Sequence, residues 1–204
     1  MEYKIPYLVA ITGCIGSGKT TISNYLGDRG FDVIYADDLS RKYLYDKEVI
    51  TYLKIIIDNK IKIMKGNLLD FKSIGKFFDK NPLHEIKFEE WFQLFLGKRI
   101  MLELLSYKTS VIFCDIPLLR KKGIEDIFDE IWLVKTDKQV SISRILKRNG
   151  YNANKINFMI NFSTAEYDSE KTFYFYNNSD KKNLFLQVDL ALNRIPFKFF
   201  SNSP

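Results

Sequence analysis

Residues 13–20 read Gly-Cys-Ile-Gly-Ser-Gly-Lys-Thr, which satisfies the spacing G-x-x-x-x-G-K-[ST]. At average residue usage, about 1 chain in 100 of this length matches by accident. The flanks narrow the meaning. An apolar run over residues 7–12 leads in, and a segment carrying Ile22, Tyr25 and Leu26 on one helical face leads out. The loop therefore joins a strand to a helix, as a phosphate-binding loop must. Gly16 and Gly18 let the backbone bend until successive N–H groups line a concave anion site. The positive end of the following helix adds to that field. An ammonium at Lys19 reaches the β- and γ-phosphates, and the Thr20 hydroxyl can ligate Mg²⁺. The predicted nucleotide contacts are Ile15, Gly16, Ser17, Gly18, Lys19, Thr20 and Thr21, with ATP and Mg²⁺ as the implied cofactors.

Four further β-rich runs, over residues 31–35, 111–114, 131–135 and 172–176, are separated by helical patterns. Alternation of this kind predicts an α/β fold: a three-layer α/β/α arrangement around a five-stranded parallel sheet. Residues 36–110 far exceed the roughly 10–12 that a crossover needs. Most of that interval reads as helix, with caps at Asp46 and Asp70, and its Phe71, Phe88, Trp91, Phe95 and Leu102 are expected in a core. The division expected is a nucleotide-binding core (1–35, 111–135 and 172–204), a helical acceptor-side insertion (36–110) and a lid region (136–171).

Composition removes other chemistries. Two cysteines and one histidine leave no disulfide framework, Cys-rich zinc site or histidine triad. The formal charge of +6 is spread along the chain, which favours a solvated basic surface over a nucleic-acid partner. The opening Met-Glu-Tyr-Lys lacks a secretory layout, and the uncharged stretch over residues 5–18 is too short and too polar to span a bilayer. A cytoplasmic protein without membrane partners is expected, and the sequence is silent on oligomeric state.

Two carboxylates fall at the carboxyl ends of predicted strands, where open α/β sheets bind ligands. Asp115 ends the third strand and is placed to orient Mg²⁺; Asp37 follows the second and can accept a proton from an attacking hydroxyl. Each is alternatively a helix cap. Arg144 and Arg148, four residues apart on a predicted helix, share a face and can clamp transferring phosphates. No Asn-Lys-x-Asp guanine-reading motif is present.

Four blocks in this order resemble the dephospho-CoA kinase family: residues 9–21, Val33-Ile-Tyr-Ala-Asp-Asp-Leu-Ser-Arg41, Asp115-Ile-Pro-Leu-Leu119 and the Arg144–Arg148 pair. The resemblance implies ATP-dependent phosphorylation of the ribose 3′-hydroxyl of dephospho-CoA, a small-molecule substrate. It implies Asp37 as general base, Lys19 and Thr20 as phosphate and Mg²⁺ contacts, Arg144 and Arg148 as lid arginines, Arg41 near the acceptor and Asn177 close to the adenine. The chain departs from the family pattern at Tyr35, at Gln93-Leu94 in place of His-Pro, at Lys121 in place of Glu, and near Asn161. Two alternatives stay open: a kinase of the same architecture with another acceptor, such as a nucleoside monophosphate, and a nucleotide-binding module without catalysis.

Overall fold

The computed structural model describes residues 6–58, 60–149 and 170–196, with the backbone alone for Lys121, Arg148 and Asn149. The elements run β1 (Tyr7–Gly13), α1 (Lys19–Asp28), β2 (Asp32–Tyr35), α2 (Ala36–Tyr43), α3 (Lys47–Ile57), β3 (Met64–Lys65), β4 (Leu68–Leu69), α4 (Phe71–Lys80) and α5 (Pro82–Ser106). Then come β5 (Val111–Asp115), α6 (Leu119–Lys122), a 3₁₀ turn (Glu125–Ile127), β6 (Glu130–Lys135), α7 (Lys138–Asn149), β7 (Thr172–Tyr176) and α8 (Lys181–Leu192). Among these residues no helix is long and apolar enough to cross a membrane.

The main sheet has the order β2-β5-β1-β6-β7, every pairing parallel. Its central strands are apolar on both faces because both are covered. Val9 and Ile11 of β1, Phe113 of β5, Trp132 and Val134 of β6 and Phe175 of β7 pack with Ile22 and Leu26 of α1 and Leu184 and Val188 of α8. The alternate residues Leu8, Ala10, Ile112, Cys114, Ile131 and Leu133 face the other way, toward Val49, Leu53 and Ile57 of α3 and Phe92, Phe95, Leu96, Ile100 and Leu104 of α5. This is the expected three-layer α/β/α architecture.

Helix starts follow their sequence signals. Asp46, Asp70 and Asp180 accept from the backbone N–H of Glu48 (2.9 Å), Ser73 (3.1 Å) and Asn183 (2.8 Å). Pro82 sits in the first turn of the 25-residue α5, where its missing N–H costs nothing. Between β2 and β5 the chain forms α2 to α5, with rings stacked inside: Tyr52 on Trp91 at 4.1 Å, and Trp91 on Phe95 at 5.3 Å.

Two expectations need correction. Phe71 and Leu102, read as core, are 54% and 56% exposed, because the buried faces of their helices run through Ile74, Phe77 and Phe78 and through Ile100 and Leu104. The interval read mostly as helix also holds a short antiparallel hairpin, with Met64 opposite Leu69 and Lys65 opposite Leu68. Its turn signal is Gly66-Asn67, with Gly66 at φ +63°.

Candidate active site

The carboxyl ends of β1, β5 and β2 meet, since Asp115 pairs with Ile11 on one side and Tyr35 on the other. From this edge the loop over residues 14–18 leaves β1 and turns into α1. Gly16 and Gly18 hold φ values of +76° and +105°, which L-residues with a Cβ rarely adopt. Neighbours also press on both: an added Cβ would come to 2.8 Å from Ser141 Oγ at Gly16 and to 2.2 Å from Asn177 Nδ2 at Gly18.

Inside the loop the Ser17 N–H donates to the Cys14 carbonyl (3.2 Å). The Lys19 ammonium donates to the carbonyls of Gly13 (2.9 Å) and Cys14 (3.0 Å). Burial lowers the Lys19 pKa, while the carboxylates of Asp115 and Asp37 and the Cys14 thiol pull it back up. At the head of α1 the Thr21 N–H reaches back to Gly18. Among the described residues, the N–H groups of Gly16, Gly18, Lys19 and Thr20 have no backbone acceptor. Donors in that row suit an anion.

Asp115 is buried at the end of β5, and its Oδ2 accepts from Thr20 Oγ1 (3.3 Å) and Ser23 Oγ (3.1 Å). Burial raises its pKa; the Lys19 ammonium and the two hydroxyls oppose that shift. Asp115 is therefore not a helix cap. The meeting of Thr20 and Asp115 offers oxygen donors alone, the set that a hard cation such as Mg²⁺ takes beside water and phosphate oxygens. Ser23 was missed from the sequence, although its position four residues after Lys19 puts it on the helix face below the loop.

Asp37 lies in the first turn of α2 and is exposed; it caps nothing, since Tyr35 holds the capping position without a side-chain hydrogen bond. It follows β2, whose last residue Tyr35 pairs with Asp115, so it stands at the same sheet edge, and its charge raises the pKa of both Lys19 and Asp115. Arg41, one turn later, is exposed and pairs with Asp38 at 3.1 Å.

After Asp115 the chain turns at Pro117-Leu118. Leu118 takes φ +55°, a strained conformation for a branched side chain, and Leu119 beyond it is wholly buried. The Lys122 ammonium donates to the Pro117 carbonyl (2.7 Å) and to Gln93 Oε1 on α5 (2.9 Å). Gln93, one of the family departures, thus holds the segment that follows the motif. Tyr35, another, donates from its hydroxyl to Asn24 Oδ1 (3.0 Å) and ties β2 to α1.

On the opposite flank, α7 packs on the loop through Ile145, Ile142 and Ile15. Arg144 Nη2 donates to Asn177 Oδ1 (3.2 Å), and Asn177 Nδ2 donates to the Ser17 carbonyl (2.7 Å). The buried amide of Asn177, which the resemblance puts close to the adenine, thus joins the loop to the arginine. Arg148 lies on α7, but its side chain falls outside the described residues, as do Asn161, the Lys121 side chain and most of the expected lid. Cys14 is half-buried and Cys114 fully so, its thiol pKa pushed up by burial.

The profile of the dephospho-CoA kinase family matches residues 7–182. Two curated dephospho-CoA kinases are each 31% identical to this chain. The one from Fusobacterium nucleatum aligns over 193 residues, 89% of this chain and 95% of its own length. The one from Streptococcus pyogenes aligns over 203 residues, 91% and 96%. Among solved structures, one from Thermus thermophilus superposes with a TM-score of 0.75 at 24% identity, covering 95% of this chain and all of its own. A dephospho-CoA kinase from Campylobacter jejuni gives 0.65 at 18% identity, with 92% and 96% covered. These two structures establish the likeness of fold; the sequence matches, spanning most of both partners, establish that the chain belongs to the dephospho-CoA kinase family.

Proposed function

We propose that this protein transfers the γ-phosphoryl group of ATP to the ribose 3′-hydroxyl of dephospho-CoA, giving coenzyme A and ADP. The observation that carries the reading is the convergence at one sheet edge of a phosphate loop, a buried carboxylate bonded to Thr20, and the exposed Asp37. Family membership supplies the acceptor.

In this reading the loop N–H groups and the Lys19 ammonium hold the β- and γ-phosphates. Transfer requires Lys19 to leave the carbonyls of Gly13 and Cys14 for phosphate oxygens, an exchange of neutral acceptors for charged ones. Thr20 and Asp115 would hold a magnesium ion, whose contribution is to neutralise phosphate charge. Asp37 takes the proton of the 3′-hydroxyl as that oxygen attacks the γ-phosphorus, while the bond from that phosphorus to the β-bridging oxygen breaks and ADP departs. Arg41, on the same face of α2 as Asp37, contacts the acceptor. Helices α2 to α5 form the acceptor side, and α7 with Arg144 and Arg148 begins the lid, whose closure limits loss of the phosphoryl group to water. A cytoplasmic location fits a soluble substrate pair.

The test is direct. Purified protein with Mg-ATP and dephospho-CoA should form coenzyme A and ADP in equal amounts, followed by chromatography and mass. No coenzyme A above the enzyme-free background would overturn the assignment. Turnover with a nucleoside monophosphate in its place would move the acceptor and leave the kinase.

A further inference from the structure

The phosphate loop is held from outside as well as within. Ser141, on α7 and only 1% exposed, donates from Oγ to the Ile15 carbonyl at 2.5 Å. Asn177, 6% exposed, donates from Nδ2 to the Ser17 carbonyl at 2.7 Å. The orientation of that amide follows from its other partner, because Arg144 can only donate and so must face Oδ1. In a trans peptide the carbonyl and the next N–H point in opposite directions. Turning the Ile15 carbonyl outward onto Ser141 therefore turns the Gly16 N–H inward. Turning the Ser17 carbonyl onto Asn177 does the same for the Gly18 N–H. The intervening N–H, that of Ser17, is held by Cys14.

We infer that Ser141 is a positioning residue for the phosphate site: with Asn177 as its counterpart, it fixes the peptide planes that aim the loop's N–H groups at a polyphosphate. Neither side chain need touch the ligand. Both struts lead to α7, Ser141 directly and Asn177 through Arg144, three residues beyond Ser141. The helix that opens the lid region is thus tied to the shape of the loop. Donors fixed in advance bind an anion without the cost of ordering them.

The inference rests on reading the loop as a nucleotide site, and the experiment separates the two. Calorimetry with MgADP and with inorganic tripolyphosphate needs no acceptor. In Ser141→Ala both ligands should weaken by the same factor, about tenfold, the worth of one net hydrogen bond. The KM for ATP should rise in step, and that for dephospho-CoA should stay within about twofold, a change smaller than the half kcal/mol that surface substitutions commonly bring. A residue with a merely structural role would lower the melting temperature and leave both affinities unchanged at a temperature where the variant is folded. That result, or loss of ADP affinity with tripolyphosphate unaffected, overturns the inference. Asn177→Asp provides the second arm. It keeps the acceptor for Arg144 but sets an oxygen against the Ser17 carbonyl, so unchanged tripolyphosphate affinity there overturns the strut geometry even if Ser141→Ala fails to fold. Failure of the unaltered protein to bind tripolyphosphate would sink the phosphate-site reading itself.

Discussion

The side proposed to hold the phosphates and the side proposed to hold the acceptor are built by different means. Around the loop, the carbonyls of Gly13, Cys14, Ile15 and Ser17 each receive a side-chain donor, and Asp115 receives two hydroxyls. Across the site, α2 to α5 are held by apolar packing: Tyr52 on Trp91, Trp91 on Phe95, and a core of Val49, Leu53, Phe92 and Ile100. The polar residues there, Asp37 and Arg41, stand exposed. A hydrogen-bonded cradle prescribes residue identity, whereas an apolar core prescribes mainly volume. The phosphate side is therefore pre-set for a ligand shared by many enzymes, and the acceptor side leaves its chemistry open to the substrate.

The sharpest way to separate the two sides is Asp37→Asn. An exposed amide of the same shape should leave the cradle alone and remove the proton acceptor. Turnover should fall by about 10²–10⁴-fold, the usual range for a lost general base. MgADP affinity by calorimetry should not follow it. Undiminished turnover would take Asp37 out of the reaction.

Next in size is Gly97→Ala, aimed at the seam where the acceptor side meets the sheet. Gly97 lies on α5 against α6, and a Cβ there would approach the Lys122 backbone carbonyl to 2.2 Å. Backbone cannot yield as a side-chain tip does, so α5 must shift, at a cost of about 1–3 kcal/mol. In a chain this long that lowers the melting temperature by roughly 2–4 °C per kcal/mol. The acceptor KM should rise with it, since Gln93 and Lys122 bridge the same seam. Nucleotide affinity should be retained; a parallel loss would mean that the two sides are not mechanically separate.

What could be read from the sequence follows the same division. The loop from Gly13 to Thr20 is local, so its spacing alone announced it, and Asp115 and Asp37 could be placed because each ends or follows a recognisable strand. Ser141 could not be found that way: its partner Ile15 is 126 residues distant, and nothing on its own helix marks a serine that faces a carbonyl. Asn177 was picked out by resemblance alone, and its bond to the loop was out of reach for the same reason, since Ser17 lies 160 residues away. Within the helical insertion, periodicity identified α3 and α5 but admitted Phe71 and Leu102 to the core, because an apolar residue beside a buried stripe looks like a member of it.

The smallest effect expected concerns one of the two groups, Lys19 and Asp115, on which Asp37 acts from across the site. Asp115 is buried, and its pKa is raised because burial penalises the charged carboxylate more than Lys19, Ser23 and Thr20 favour it. A raised folded-state pKa means that the folded protein holds the proton more tightly than the unfolded chain. The resulting stability is fully present below the ordinary carboxylate pKa and is lost as pH rises through the raised value. Above its folded-state pKa, and without metal, the ionised carboxylate therefore weakens the fold. Asp115→Asn removes that charge and can still accept from both hydroxyls through Oδ1. Its melting temperature should match the unaltered protein in acid and exceed it increasingly as pH rises through the folded-state pKa, then run parallel. Lys19 does not disturb the sign, because its attraction is already contained in the net upward shift. Magnesium should narrow the gap from the other direction, raising the melting temperature of the unaltered protein and not of the variant. A difference that is flat across pH, or a variant less stable at neutral pH, would show that Asp115 is already well paired before any cation arrives, and that the phosphate side is complete without its metal.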